Sequence, residues 1–195
     1  MSVAVAVQKG RTIAVAADTQ ENFGDRRVLR GDHSSSKIMK VGASFIAQTG
    51  WGLYENILGD YLLKAGTPRF RNEREIFVFF NRFWKRMRKD YSFVNDQPLE
   101  DDKSPFADLD ASFLIVNPRG IFHVTGQMSV TRFTRFDAIG SGAPYALGAL
   151  HTLFDGTLDA PEIARRACAA AVHFDISCGG ALDVFTVKLH GPLRA

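Results

Sequence analysis

Apolar and polar positions follow one another along the chain in two distinct patterns, and the first pattern predicts strands. Short runs rich in β-branched and small residues are separated by turn-forming residues. These runs predict hairpins at 3–7 with 12–17, within 37–47, and at 112–116 with 121–125, and single strands at 132–139 and 181–189. The first hairpin is apolar on both sides of its strands, so we expect both of its faces to be buried.

The second pattern is helical. Apolar residues recur every three or four positions in four segments, which predict helices at 51–64, at 73–91, from 142 to about 154, and from 160 onwards. Pro161 lies in the first turn of the last helix, where the missing N–H costs little. The polar segments 18–31 and 99–110 are expected to form loops, the first with short strands.

The order of these elements indicates the architecture. Hairpins come first, then two helices, then further hairpins, two more helices and a closing strand. Helices in consecutive pairs favour antiparallel sheets over a parallel, alternating arrangement. We therefore expect an α+β fold, a four-layer α/β/β/α sandwich of two antiparallel sheets between two helical layers. With 195 residues and 46% apolar content, one domain spanning residues 1–195 is expected.

Charge is concentrated in one segment. The net charge is +3, yet residues 69–89 hold eight basic and two acidic residues. A basic, aromatic segment can bind nucleic acid. However, Ile76, Phe80, Phe83, Trp84 and Met87 recur at helical spacing, which is typical of a core-facing stripe with a solvated basic face. We therefore expect no nucleic-acid partner.

Cysteine and hydropathy patterns point to the cytoplasm. Cys168 and Cys178 are too few for a disulfide framework and form no metal-ligand pattern. Lys9 and Arg11 interrupt the apolar start of the chain, where a secretion signal must be uncharged. No run approaches the roughly 20 apolar residues that a membrane span needs. We expect no metal, no organic cofactor and no membrane partner.

The second residue carries the candidate chemistry. Removal of Met1 would place a hydroxyl and a free α-amine on Ser2. A serine hydroxyl needs a base to become a good nucleophile, and an α-amine with a reference pKa of about 7.7 to 8.0 can act as that base. Ser2 alone is a weak signal, because serine often follows the initiator methionine.

Several short motifs, taken in order, make the signal specific. They are Ser2 at the head of the first strand, Ala17-Asp18-Thr19-Gln20, Ser36-Lys37-Ile38, Ile139-Gly140-Ser141-Gly142-Ala143-Pro144-Tyr145-Ala146, and Asp175-Ile176-Ser177-Cys178-Gly179-Gly180. With these motifs the chain resembles proteasome β-type subunits and the related heat-shock-locus peptidase of bacteria, which are N-terminal nucleophile hydrolases. The overall character is most similar to the bacterial proteasome homologues. The resemblance runs nearly end to end and implies the four-layer fold of that superfamily.

The resemblance also implies roles for individual residues. Lys37 would lie beside the Ser2 hydroxyl and favour loss of its proton, and Asp18 would hold Lys37 by a charged hydrogen bond. Without the resemblance, Lys37 would be interpreted as a surface lysine and Asp18 as a turn former. The backbone N–H of Gly50 would stabilise the oxyanion.

Two further positions belong to the implied site. Ser141 precedes a predicted helix and by itself is best interpreted as its N-cap, but the resemblance brings it to the nucleophile's amine. Asp175 would hydrogen-bond the serines and the amine. Cys178 stands where many relatives have serine, and we interpret it as a small buried thiol.

The implied function is peptide-bond hydrolysis of unfolded proteins by a self-compartmentalising peptidase. Its working form would be homo-oligomeric stacked rings of six or seven subunits, with a possible ATP-dependent unfoldase as partner. The exposed aromatics Trp51, Phe77 and Phe79 are candidates for ring contacts. The alternative is a non-catalytic ring or scaffold protein, because relatives of this type almost always use threonine, whose methyl group helps to aim the oxygen.

Overall fold

The computed structural model describes residues 2–91 and 109–190. In chain order the strands and helices are β1 Ala4–Lys9, β2 Thr12–Asp18, β3 Glu21–Phe23, β4 Arg26–Val28, β5 Ile38–Val41, β6 Ser44–Gly50, α1 Leu53–Ala65, α2 Glu73–Asp90, β7 Ala111–Asn117, β8 Gly120–Val124, β9 Val130–Phe133, β10 Phe136–Ile139, α3 Ala143–Leu153, α4 Ala160–Phe174 and β11 Leu182–Lys188. The three hairpins, the four helices and the closing strand follow the prediction within a few residues. The predicted loop at 99–110 lies almost wholly outside the described residues.

The strands form two larger antiparallel sheets. The first has the order β10-β1-β2-β11, and the second has the order β5-β6-β7-β8-β9. A two-stranded ribbon of β3 and β4 stands apart from both. In the first sheet Ala4 pairs with Ala17 on one side and with Ile139 on the other, so β1 lies between β2 and β10.

Three apolar clusters separate four layers. The cluster between the sheets contains Ile13 and Val15 from the first sheet and Leu114 and Val116 from the second. Helices α1 and α2 cover the outer face of the second sheet, and α3 and α4 cover the outer face of the first. Both faces of the β1–β2 hairpin are therefore buried, and the expected α/β/β/α sandwich is confirmed.

Helix α2 packs as its apolar spacing predicted. Ile76, Phe80, Phe83 and Met87 are buried against the second sheet, and Trp84 is partly buried beside them. The helix begins at Asn72, whose side chain accepts a hydrogen bond from the Glu75 N–H. The basic side chains occupy the remaining, solvated part of the helix surface.

One strand prediction is wrong. Residues 132–139 do not form a single strand, because the chain leaves the second sheet after Phe133 and enters the first sheet at Phe136. The two short strands pair with different neighbours: β9 with β8, and β10 with β1. The alternation of side chains is the same on either side of the crossing, so the hydropathy pattern contained no sign of it.

Three aromatic residues were predicted as ring contacts. Trp51 is 57% exposed and Phe77 is 45% exposed. Phe79 instead packs edge-on against Tyr61 and Phe70 and belongs to the margin of the core. Within residues 2–91 and 109–190, no helix combines the length and apolarity that crossing a bilayer requires.

Candidate active site

The Asp18 carboxylate is the centre of the candidate site. Asp18 is the last residue of β2 and is fully buried. One of its oxygens accepts hydrogen bonds from Val3 N at 3.0 Å and from Lys37 Nζ at 2.9 Å. The other accepts from Gly179 N at 3.0 Å and from Gln20 N at 3.3 Å. Four donors thus compensate for the removal of this charge from water.

Lys37 and Ser2 meet at this carboxylate. Lys37 directly precedes β5 and is 7% exposed, so its ammonium is held by Asp18 inside the protein. Ser2 is 5% exposed and directly precedes Val3, whose N–H binds the same Asp18 oxygen as the lysine. The structure therefore brings together the three residues on which the sequence-based mechanism depends.

Ser141 anchors the Ser2 backbone and does not cap a helix. The Ser2 carbonyl accepts hydrogen bonds from Gly142 N at 3.2 Å and from Ser141 Oγ at 3.5 Å. The N-cap of α3 is Gly142, and no side chain caps it, so the interpretation of Ser141 as the N-cap is wrong. The turn that precedes α3 is occupied by the backbone of Ser2, which takes up both groups.

Asp175 lies behind Ser141, at the C-cap of α4. Burial alone would raise the pKa of the Asp175 carboxyl, but hydrogen bonds from Ser141, Ser177 and Cys178 hold this pKa below its ordinary value. The Ser177 N–H donates at 2.8 Å, and the Cys178 thiol donates at 3.5 Å. Asp175 is therefore an ionised acceptor at neutral pH.

Cys178 is a buried thiol, as the sequence suggested. Burial raises its pKa to about 12, and the carboxylates of Asp18 and Asp175 contribute to that rise. Cys168 is fully buried, and burial raises its pKa well above the ordinary value. Both cysteines are free.

Gly50 lies at the mouth of the site, where β6 ends opposite Ala111 of β7. Its φ of +113° lies in the region that favours glycine, and an added Cβ would overlap the carbonyl oxygen of Asp110. Gly140 has a similar requirement, with a φ of +94° and with the Ser2 carbonyl where its Cβ would be. Both glycines permit close approach of backbone to backbone beside Ser2.

These residues border one open cleft of about 630 Å³. Its lining includes Ser2, Gly50 and Ser141, together with Glu21, Asn22 and Asp110. Asp18, Lys37 and Asp175 support the cleft from behind. A cleft of this size can hold several residues of an extended peptide next to the serine.

Some residues of the site have no sequence-based assignment. Gly179 donates to Asp18, and its motif was noticed without a role for its N–H. Asn22 Nδ2 donates to the Ser177 carbonyl at 2.9 Å and joins the cleft wall to the Asp175 loop. Glu21, Asn22 and Asp110 lie in polar segments that carry no pattern, so only their position in the fold identifies them.

The described residues contain no group of three or more side chains that could hold a metal ion. The chemistry available in the cleft is that of a hydroxyl, a buried ammonium and backbone N–H groups.

A solved structure decides the family. Thiobacillus denitrificans BPH is 31% identical to this chain, spans 97% of it and 100% of the BPH chain, and superposes with a TM-score of 0.88. The chain belongs to the proteasome β-type family of N-terminal nucleophile hydrolases. Within this family it is a proteasome-like peptidase. Thiobacillus denitrificans BPH has also been solved in complex with epoxomicin, with the same identity and TM-score to this chain.

Other family members give the same result more weakly. The ATP-dependent protease subunit HslV of Caldicellulosiruptor saccharolyticus is 27% identical over 171 residues, which are 86% of this chain and 87% of that protein. HslV of a Caulobacter species is 39% identical over 82 residues, which are 39% of this chain and 44% of that protein. HslV of Trypanosoma brucei, at 22% identity and a TM-score of 0.65 over 95% of this chain and 99% of that one, shows the shared fold. No protein-family model matches the chain.

Proposed function

We propose that this protein is an endopeptidase whose nucleophile is Ser2, made available by removal of Met1. The observation that supports this proposal is the shared Asp18 oxygen, which accepts from Val3 N and from Lys37 Nζ and so holds the ammonium next to the serine. Met1 itself lies outside the described residues.

The reaction would proceed through an acyl-enzyme. The Ser2 Oγ attacks the scissile carbonyl carbon, and the Ser2 α-amine accepts the hydroxyl proton, directly or through one water. Lys37 keeps its proton and favours the developing alkoxide electrostatically, while Asp18 holds Lys37 in place. The Gly50 N–H stabilises the oxyanion, and such donors are typically worth about 2.7 to 4 kcal/mol of barrier.

The second half of the reaction reuses the same groups. The protonated amine gives its proton to the leaving amine of the substrate, which departs as the first product. The amine, again neutral, activates a water molecule that attacks the ester carbonyl and releases the second product. Ser141 and Asp175 would orient the Ser2 backbone and amine through the contacts at the Ser2 carbonyl.

The assembly of this peptidase is part of the proposal. The HslV relatives are named ATP-dependent protease subunits, which supports an ATP-dependent partner and a ring assembly for this chain. Stacked rings would confine Ser2 in a chamber that only unfolded chains enter. A cytoplasmic location and a single domain over residues 1–195 fit this proposal.

The test compares two variants of the nucleophile on a fluorogenic peptide. We expect Ser2→Ala to abolish turnover without changing the melting temperature or the assembly size, because only the hydroxyl is lost. Ser2→Thr keeps the hydroxyl and is expected to remain active. Equal turnover by Ser2→Ala and the unchanged protein would refute the mechanism.

A covalent probe checks the amine independently. Epoxomicin carries a ketone and an epoxide and can bond both a hydroxyl and an adjacent amine without losing atoms. We expect intact-mass spectrometry to show one added inhibitor per chain lacking Met1, and none in Ser2→Ala. A mature protein from its native host that retains Met1 and is not labelled would favour the alternative, a non-catalytic ring protein.

A further inference from the structure

The cleft beside Ser2 is lined by acidic and neutral residues. Glu21 from β3 and Asp110 before β7 both contribute carboxylates to its wall. No lysine, arginine or histidine is among the described residues that line it. Asp110 accepts a hydrogen bond from the Trp51 indole N–H at 2.5 Å, which occupies one of its oxygens. Glu21 has no such partner in the described part of the chain.

Glu55 adds a third carboxylate close by. It lies in the first turn of α1 and is partly buried. Burial raises the pKa of the Glu55 carboxyl, the negative charge of Glu21 raises it further, and the ammonium of Lys37 only partly opposes this. Glu55 therefore faces both Glu21 and the back of the Ser2 site.

These two glutamates lack a counter-ion. Neither Glu21 nor Glu55 forms an ion pair with any residue in the ranges 2–91 and 109–190. Lys37, the nearby cation, already lies 2.9 Å from Asp18 and is held there. Two neighbouring carboxylates thus face each other with their charge uncompensated, which is costly away from bulk water.

Gln48 provides an independent sign that a donor is missing. It is 8% exposed, and its Nε2 donates to the Trp51 carbonyl at 3.1 Å. Its Oε1 is buried and has no hydrogen-bond partner. Gln48 lies two residues before Gly50 on β6 and points to the same side as Ile46, which packs against the α1 layer that carries Glu55. Buried acceptors nearly always have donors, so this oxygen indicates a site for a donor-rich group.

We propose that the cleft selects substrates with a lysine or arginine side chain at the residue that donates the scissile carbonyl, and that Glu21 and Glu55 determine this selectivity. The inference rests on the proposed function, since it assigns the substrate class of the same site. A guanidinium offers five N–H donors and one positive charge, which match two carboxylates and an unpaired amide oxygen. A neutral side chain of equal length leaves all three unsatisfied.

The first experiment measures selectivity. Three fluorogenic peptides differ only in the last residue before the fluorophore, which is arginine, norleucine or glutamate. We expect kcat/KM to be at least tenfold higher for arginine than for norleucine and lowest for glutamate. Glu55→Gln and Glu21→Gln should each reduce the arginine preference about tenfold or more, with little change in turnover of the norleucine peptide.

A matched control separates a local effect from a general one. Glu162 lies on α4 and pairs with Arg165 and Arg166 at the surface. Glu162→Gln removes the same charge and should leave the selectivity unchanged. An arginine preference that is absent in the unchanged protein, or that persists in the Glu21→Gln/Glu55→Gln double variant, would overturn the proposal.

Binding to the inactive protein tests the inference without catalysis. Calorimetry with Ser2→Ala compares two amide-capped peptides that end in arginine or in norleucine. We expect at least tenfold tighter binding of the arginine peptide, and loss of that difference in Ser2→Ala/Glu55→Gln. Equal binding, or no binding of either peptide, overturns the selectivity proposal, whereas turnover that survives Ser2→Ala overturns the proposed nucleophile instead.

Discussion

Replacement of Asp18 by asparagine isolates the interaction that holds the site together. Asp18→Asn keeps the size of the side chain but removes its charge and turns one oxygen into an NH₂ group. The carboxylate accepts four hydrogen bonds, three from backbone N–H groups and one from Lys37. An amide has only one oxygen, so its NH₂ group must face two of these donors.

The structure sets the expected magnitude. Asp18 is fully buried, and its partner Lys37 is 7% exposed. Breaking a buried ion pair by removing one partner typically costs about 3 to 5 kcal/mol, because the remaining charge is left uncompensated. At an m-value of about 2 kcal/mol per molar urea, this loss lowers the unfolding midpoint by roughly 2 M.

Urea unfolding, followed by tryptophan fluorescence at one fixed protein concentration, measures the change. Lys37→Met is the informative partner variant, since it leaves the Asp18 carboxylate with its three backbone donors. We expect it to cost less than Asp18→Asn. Asp155→Asn is the control, because Asp155 is 84% exposed and pairs with Arg135 at the surface, where such pairs contribute about 0 to 1 kcal/mol.

Two results would refute this reasoning. The first is an Asp18→Asn variant whose free energy of unfolding lies within about 1 kcal/mol of the unchanged protein. The second is a double variant, Asp18→Asn with Lys37→Met, whose cost equals the sum of the two single costs. Residues that share one hydrogen-bond network are expected to be non-additive.

Three other predictions follow from the geometry. Gly140→Ala should destabilise the protein by about 1 to 3 kcal/mol and abolish peptidase activity, because its Cβ would displace the nucleophile's carbonyl, whereas Gly148→Ala on the exposed side of α3 should stabilise by about 0.5 to 1 kcal/mol; thermal unfolding compares the two. Cys168 and Cys178 should resist iodoacetamide at pH 8 in the folded protein and react after unfolding, since burial keeps both thiols protonated, and rapid labelling of the native protein would contradict this. The lowered pKa of Asp175 means that its ionised form stabilises the fold above its unfolded pKa of about 3.9 and that this contribution is lost as the pH falls through the folded pKa; Asp175→Asn should therefore flatten the stability curve on the acid side, and an unchanged curve would contradict the assignment.

The sequence predicted most of the fold because its apolar spacing is regular. The alternation in β1 and β2 and the stripe of α2 were sufficient to place these elements and their buried faces. The pattern failed at residues 134 and 135, where the chain passes from one sheet to the other. Hydropathy records only whether a side chain is buried, and it does not record which sheet buries it.

The candidate site shows the same division. Ser2, Asp18 and Lys37 could be proposed from short motifs, because each motif has a fixed order along the chain. Ser141 was misinterpreted as a cap, since a serine between glycines before a helix has the same local sequence in either role. Its contact with the Ser2 carbonyl spans 139 positions, and local sequence does not encode such a contact.

The sequence by itself determined the layers of this protein, the nature of its nucleophile and the acid and base beside it. Only the tertiary structure decided which charges the cleft contains. Glu21, Glu55 and Gln48 come from a ribbon, a helix and a strand that the chain brings together through packing of the second sheet against α1. Each is an ordinary polar residue in its own segment, and the lack of a counter-ion becomes apparent only when the three are seen side by side.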